Sequence, residues 1–375
     1  MEQQTKNTEQ AALYQRIRRR LTLFHLVLTP SLLAVLIASG WTFGMRQNAI
    51  AFSGGSDWGI VAVYFFLFSL FFLIFDLPLS FYSGFTLEHQ FGLSNQTFGQ
   101  WLLDLGKKTF LSFVLSLLLL EFLYLLIRHC PADWWLWAWA AYAFVSYVLG
   151  KVFPVVIVPL FYKYGRLEDK ELEAKVLKLA ARFEMPVGNV YSLNLSKTTK
   201  KANAAFMGIG KTKRVVLSDT LISHFTHAEV EVVVAHELGH YRHHDVWRLL
   251  GFGLAASLLA FAVGFWGMNR LTASLSLGSV ADVAGLPLLF LIFYAVNLVL
   301  MPLMNGYSRR RERAADLFAL QALGTREVFI ASMEKLAGQN LADPEPPAWY
   351  EWFFYDHPSI GKRVSMARKW METDR

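Results

Sequence analysis

Residues 134–161 read WWLWAWAAYAFVSYVLGKVFPVVIVPLF, and how this run is divided fixes the topology of the chain. It is longer than the ~20 apolar residues that cross the hydrocarbon of a bilayer. Lys151, Pro154 and Pro159 interrupt it, so one span or two could be drawn. Charge decides between them. Five further apolar blocks lie at 21–40, 60–83, 110–127, 249–268 and 285–304, each near the length of one span. With a single span in the quoted run and an inner N-terminus, the outer loops are 41–59, 128–133 and 269–284. These hold Arg46, Arg128 and Arg270, three of the 36 Lys and Arg residues. All the others except Lys151 fall on the inner side, the bias that orients multi-span proteins. Two spans would turn the large basic segment outward and erase that bias. Lys151 is therefore placed at the inner boundary, and Phe153 to Phe161 leads into a soluble region.

Composition agrees. Of 375 residues, 54% are hydrophobic and 17% charged, and the mean hydropathy is +0.34. A disordered chain is excluded, and a purely soluble one disfavoured. The sole cysteine, Cys130, excludes a disulfide framework and a cysteine zinc cage. The net charge of +7 is explained by orientation, so no nucleic-acid partner is expected. Arg16, Arg18, Arg19 and Arg20 precede the first apolar block. That block is too long for a signal-peptide core and no small-residue cleavage site follows, so it reads as a retained span. Asn95-Gln96-Thr97 and Asn194-Leu195-Ser196 match the glycosylation pattern, but both fall on the inner face and read as chance.

The expected organisation is a polar cytoplasmic tail (1–20), a four-helix membrane region (21–161), a cytoplasmic part (162–248), a membrane hairpin (249–304) and a second cytoplasmic part (305–375). In the first cytoplasmic part, Leu172, Val176, Leu179, Ala180 and Phe183 recur at helical spacing within 168–184. Strand-like runs follow at Val190–Leu195, Ala204–Ile209 and Arg214–Leu217, punctuated by Gly208, Gly210 and the Lys211–Lys213 turn. Thr226 and Glu229 form a capping-box pattern that starts a helix running through His244 or beyond, into the fifth span. The sixth span is expected to continue to about Ala322, with Gly324 as its C-cap. A Pro-rich loop, Asp343 to Pro347, precedes the last helix. The fold class is mainly α: a multi-span helical bundle with a small α+β part on the cytoplasmic side.

The chemistry lies in His236-Glu237-Leu238-Gly239-His240. Residues i and i+4 of a helix share a face, so the two imidazoles can reach one zinc ion. Glu237, about 100° around the helix from His236, can take a proton from a water that zinc activates. This is the H-E-x-x-H pattern of metalloproteases. The bland alternative is a pair of surface histidines on a His-rich helix end, since His243 and His244 follow. A third ligand should come from another helix, and Glu312, 72 residues after His240, fits. Asp316, one turn on, can accept the second N–H of a ligand histidine. The two spans between the motifs form a hairpin that returns the chain to the same face.

With these residues the sequence resembles the type 1 CAAX prenyl proteases, integral-membrane zinc metalloproteases. The resemblance runs from about 60 to about 365 and includes Phe81 to Thr97, Pro154 to Phe161, Asn203 to Gly208, Lys213 to Thr220, the E-x-x-A-D run from Glu312 to Asp316, and His357-Pro358-Ser359-Ile360 with Arg363. It implies that Asn203 and Ala204 bind substrate along an edge strand. It also implies that His357 stabilises the oxyanion, and that Arg363 holds the region together or meets substrate backbone. The resemblance further implies a water-filled chamber enclosed by the spans. The chain departs from eukaryotic members in having six spans instead of seven. Its short first loop, compact length and lack of an organelle retention signal look bacterial, so hydrolysis is expected but a prenylated substrate is not assumed. Asp76 and Glu121, inside apolar runs, are expected either to face the chamber and neighbouring helices or to lie near the membrane boundaries.

The leading expectation is a zinc endopeptidase, one ion per chain, acting on peptides or proteins near the lipid of a bacterial plasma membrane. Both termini and the site would face the cytoplasm. A heat-shock-type quality-control protease, and an inactive scaffold or carrier, are the alternatives.

Overall fold

The computed structural model describes residues 2–185, 189–207 and 214–370. Six helices within it are long and apolar enough to cross a membrane: Glu9–Ala38, Asp57–Gln90, Phe98–His129, Trp134–Leu160, Asp245–Leu271 and Val283–Leu323. They correspond one to one with the six apolar blocks. The quoted run does not split. Helical turns continue through both prolines, as a wide π-turn at Phe153–Ile157 and a tight turn at Val158–Leu160. Each proline opens one of these turns, where its missing N–H interrupts the helix least.

In chain order the elements are α1 (Glu2–Ala38), α2 (Trp41–Ser53), α3 (Asp57–Phe81), α4 (Leu87–Gln90), α5 (Phe98–His129), α6 (Trp134–Val152), β1 (Tyr164–Arg166), α7 (Lys170–Arg182), β2 (Val190–Leu193), β3 (Ala204–Met207), β4 (Arg214–Ser218), α8 (Asp219–His224), α9 (His227–Arg242), α10 (Asp245–Leu271), α11 (Leu286–Leu323), α12 (Arg326–Asn340), α13 (Ala348–Phe354) and α14 (Ile360–Lys369).

Several expectations change in detail. The polar tail is helical, the first half of α1, and is pinned to the soluble part. Tyr14 donates to Glu88 at 2.5 Å, Arg19 pairs with Asp343 at 2.6 Å, and Gln15 donates to the carbonyl of Leu341. The loop expected on the outer side, 41–59, contains α2. The helix carrying the H-E-x-x-H run stops at Arg242, because His244 takes a left-handed conformation (φ 56°) and breaks it from α10. The last helix is in fact two, α13 and α14, and His357 sits in the loop between them. The turn at 208–213, with Ile209 and Lys213, lies outside the described residues.

The strands form one sheet in the order β1-β2-β4-β3. Only the β2–β4 pair is parallel, and β3 is an edge. Helix α7 lays Leu172, Val176, Leu179 and Ala180 against this sheet and α9, in one core with Leu217, Val230, Val234, Leu238, Ala319 and Phe329. Between the spans lies a cavity of about 750 Å³, walled mainly by apolar side chains such as Phe65, Leu119, Leu123 and Phe293, with Asn297 among its few polar ones. Neither Asp76 nor Glu121 lines it. Asp76 instead lies 3.3 Å from His25 on α1.

Helices α9 and α11 approach backbone to backbone at Gly239. A Cβ built there would stand 2.9 Å from the Cα and 3.2 Å from the carbonyl oxygen of Ala315. Both are backbone atoms that cannot swing aside. Gly239→Ala is expected to lower stability by about 1–3 kcal/mol despite alanine's better helix propensity, and to weaken metal retention in parallel. Thermal unfolding and metal analysis of the purified variant check this; unchanged values would contradict the close crossing.

Candidate metal centre

The helix that carries the histidines begins with a reciprocal cap. Thr226 accepts from the Glu229 N–H, and Glu229 accepts from the Thr226 N–H at 2.7 Å. Two turns further on, His236 and His240 project toward α11. Glu312 and Asp316 project back from it, one turn apart. The His236 and His240 Nε2 atoms are 3.1 Å apart. Glu312 Oε2 is 3.2 Å from His236 Nε2, and Oε1 is 3.3 Å from His240 Nε2. Ligand atoms of these three residues, and of no other trio among the described residues, lie close enough together to hold one metal ion.

The outer nitrogens fix the tautomers. His236 Nδ1 donates to Asp316 at 2.8 Å, and His240 Nδ1 donates to Asp245 at 3.0 Å. In the neutral imidazoles both Nε2 atoms therefore carry lone pairs. They face each other and a carboxylate whose Oε2 is buried and accepts no hydrogen bond. Three acceptors without a shared proton repel; a cation between them removes the conflict. The 3.1–3.3 Å separations match the edge of a tetrahedron with bonds of ~2.0 Å, the length typical of zinc to nitrogen or oxygen. The residues present fit the metal.

Two arginines hold the supporting carboxylates. Asp316 is completely buried and gripped by a fork from Arg363, whose Nε donates at 2.9 Å. Arg311 Nε donates to Asp245 at 2.5 Å. Burial disfavours the charged imidazoles, yet the Asp245 and Glu312 carboxylates push His240 up to about 10, and Asp316 and Glu312 raise His236. The raised proton affinity sets protons in competition with a metal ion for the same nitrogens, so metal loading tightens as pH rises.

Each expected site residue is found nearby. Glu237 is half-buried, and its Oε2 accepts the backbone N–H of Phe206 on the edge strand β3 at 3.0 Å. His357 is exposed; its Nε2 lies 3.3 Å from Glu312 Oε1, while its Nδ1 donates to Asp356. That carboxylate raises its pKa first, against burial, with Glu312 adding to it. Asn203, Ala204, His236, Glu237, His357 and Arg363 all line one pocket of about 250 Å³. Of the two roles that the resemblance left open for Arg363, the contacts favour holding the region together.

Asp245 and Arg311 were missed. On a continuous helix Asp245 would lie about 140° around from His240, on another face. The break at His244 brings it back beneath the imidazole. The signal was an aspartate five residues past the motif, legible only to a reader who ended the helix earlier. Asp245→Asn is expected to lower metal affinity by about 10–100-fold. Competition with a zinc indicator measures this, and wild-type affinity would contradict the role.

Helices bearing a trio that could hold a metal, at one end of a transmembrane hairpin and beside a small sheet, define an integral-membrane metallopeptidase. The chain belongs to peptidase family M48, whose model matches residues 166–371. The model of the CAAX prenyl protease N-terminal region, described by its five membrane helices, matches residues 2–163. Among curated relatives, the Bacillus subtilis uncharacterized metalloprotease YhfN is 34% identical over 81% of this chain and 72% of its own. CAAX prenyl protease 1 of Saccharomyces cerevisiae is 30% identical over 77% and 68%. The crystal structure of S. mikatae Ste24p shares the fold, with a TM-score of 0.87 at 23% identity over 97% of this chain and 89% of that one.

Proposed function

We propose that His236, His240 and Glu312 hold one zinc ion, and that Glu237 and His357 act on peptide segments presented at the inner face of a bacterial plasma membrane. The supporting observation is the triangle of inward-facing donor atoms 3.1–3.3 Å apart with its orphaned carboxylate oxygen. When bound, zinc supplies Lewis-acid polarisation of the scissile carbonyl and acidifies a water molecule.

The chain's own residues do the rest. Asp316 and Asp245 keep each Nε2 lone pair turned inward and raise the basicity of the rings. Glu237 receives the proton of the attacking water and passes it to the leaving amine, as a general base and then a general acid. No covalent intermediate is needed. A substrate strand adds to the free edge of β3 beside Asn203 and Ala204. The Phe206 N–H that tethers Glu237 lies on this edge, so the base is held where the substrate backbone passes. Asp356, and Glu312 after it, favour the protonated form of His357, which suits it to donate toward the developing oxyanion. The match of residues 2–163 to the CAAX-type membrane region favours the CAAX-protease-like branch over the heat-shock type. The peptide or protein tails of membrane-associated proteins are the substrates it suits.

Two variants separate the roles. Glu237→Gln should retain metal while turnover of a fluorogenic peptide falls by about 10²–10⁴-fold; unchanged turnover would remove Glu237 as the base. His357→Ala should lower kcat by about 10²–10³-fold with KM little altered. A change confined to KM would make it a binding residue instead.

A further inference from the structure

Helix α13 presents Trp349 and Trp352, 56% and 58% exposed, on one face. Tyr350 and Glu351, on the other, are buried. Its position along the membrane normal is fixed by α11. Asn305 Nδ2 donates to the Phe353 carbonyl at 2.7 Å. Arg309 donates to the carbonyls of Glu351 at 3.1 Å, of Trp352 at 3.2 Å and of Tyr355. Asn305 follows directly on the apolar run that ends at Met304. The end of α13 is therefore level with the boundary where the sixth span leaves the hydrocarbon.

An independent register gives the same level. Antiparallel α10 and α11 are keyed by Asp245–Arg311 and by the Phe252–Tyr307 ring pair, whose centroids are 4.8 Å apart. Trp247 lies between these keys, so it sits level with residues 309–310, and it is 49% exposed. Its ring stacks on Tyr147, and the Lys151 ammonium lies over the Tyr147 ring at 4.5 Å. Aromatic rings at one level on two spans, Tyr147 of α6 and Trp247 of α10, and on α13, with cations among them, make the belt that marks a membrane–water interface. Arg310 and Arg313 are exposed nearby, and no carboxylate pairs with either among the described residues.

We propose that α13 is an interfacial lipid anchor: Trp349 and Trp352 lie in the headgroup layer of the leaflet bordering the metal site, with Arg310 and Arg313 drawing anionic lipid to it. The loop from Tyr355 to Ser359 leaves the end of this helix, so the bilayer fixes the arm that carries His357. The inference rests on the membrane-spanning reading and on no catalytic assignment, so its failure would leave the zinc chemistry standing.

The test uses the full chain in nanodiscs containing anionic lipid. In a Cys130→Ser background, Trp352→Cys carries an NBD label, and Glu345→Cys, on the exposed Pro-rich loop, is the control. Trp349→Cys serves as a second reporter if the first variant folds poorly. Lipids bearing a shallow nitroxide should quench the label at 352 at least about twofold more than at 345, and more than deep-nitroxide lipids do. Equal quenching at the two sites would overturn the proposal. So would shielding of 352 from iodide without nitroxide quenching, which would give the face to a protein partner or a second copy of the chain.

Discussion

Helices α9 and α11 touch backbone to backbone where Gly239 meets Ala315, and the metal centre depends on that contact. Gly239 lies between the two histidines, and Ala315 between Glu312 and Asp316. A Cβ at position 239 would run into the Ala315 backbone and part the helices. The 3.1–3.3 Å triangle of His236, His240 and Glu312 could not survive even a small separation. The same contact puts the Asp316 carboxylate against His236 Nδ1, so ligand and support are set by one crossing. Glycine in mid-helix costs about 1 kcal/mol in propensity; here its value lies in the approach it permits.

Around this crossing the charges are arranged in two clamps that come from separate elements. Arg363 reaches in from α14 to grip Asp316, and Arg311 of α11 grips Asp245 at the start of α10. Without these partners, two carboxylates buried beside Glu312 would carry a large desolvation penalty. With them, the imidazoles are oriented before any ion arrives, and each supporting carboxylate is balanced by its own arginine. Because Asp245 begins the fifth span and Arg311 extends the sixth, the hairpin and the site form one unit. A tilt of one span against the other would be felt at His240.

The six spans were legible because apolar length is a one-dimensional property, and the division of the fourth run followed from charge asymmetry alone. The histidine pair was legible because i and i+4 spacing fixes a helix face without reference to the rest of the fold; Glu312 joined it only through the hairpin that returns the chain to the same face, and the fold brings the three together. The helical nature of 2–20 was not, since its support comes from distant partners such as Glu88, Asp343 and Lys201. Strand β1 is three residues long and exists only through its pairing with β2. Asp245 escaped because its role depends on a single left-handed residue, His244, which no glycine or asparagine announced. His357 has no local pattern that points to a metal; only resemblance marked it, and the fold then brings it within 3.3 Å of Glu312.

The site stands on two imidazoles and one carboxylate, from two crossing helices, sharing a single ion. X-ray absorption at the zinc edge, on protein purified with its metal, tests it most directly when wild type is compared with Glu312→Ala. One zinc per chain is expected in the wild type, with two imidazole nitrogens and oxygen donors at ~2.0 Å, and loss of the ion or of an oxygen shell in the variant. A zinc environment without imidazole, or an identical spectrum and metal content in the variant, would contradict it.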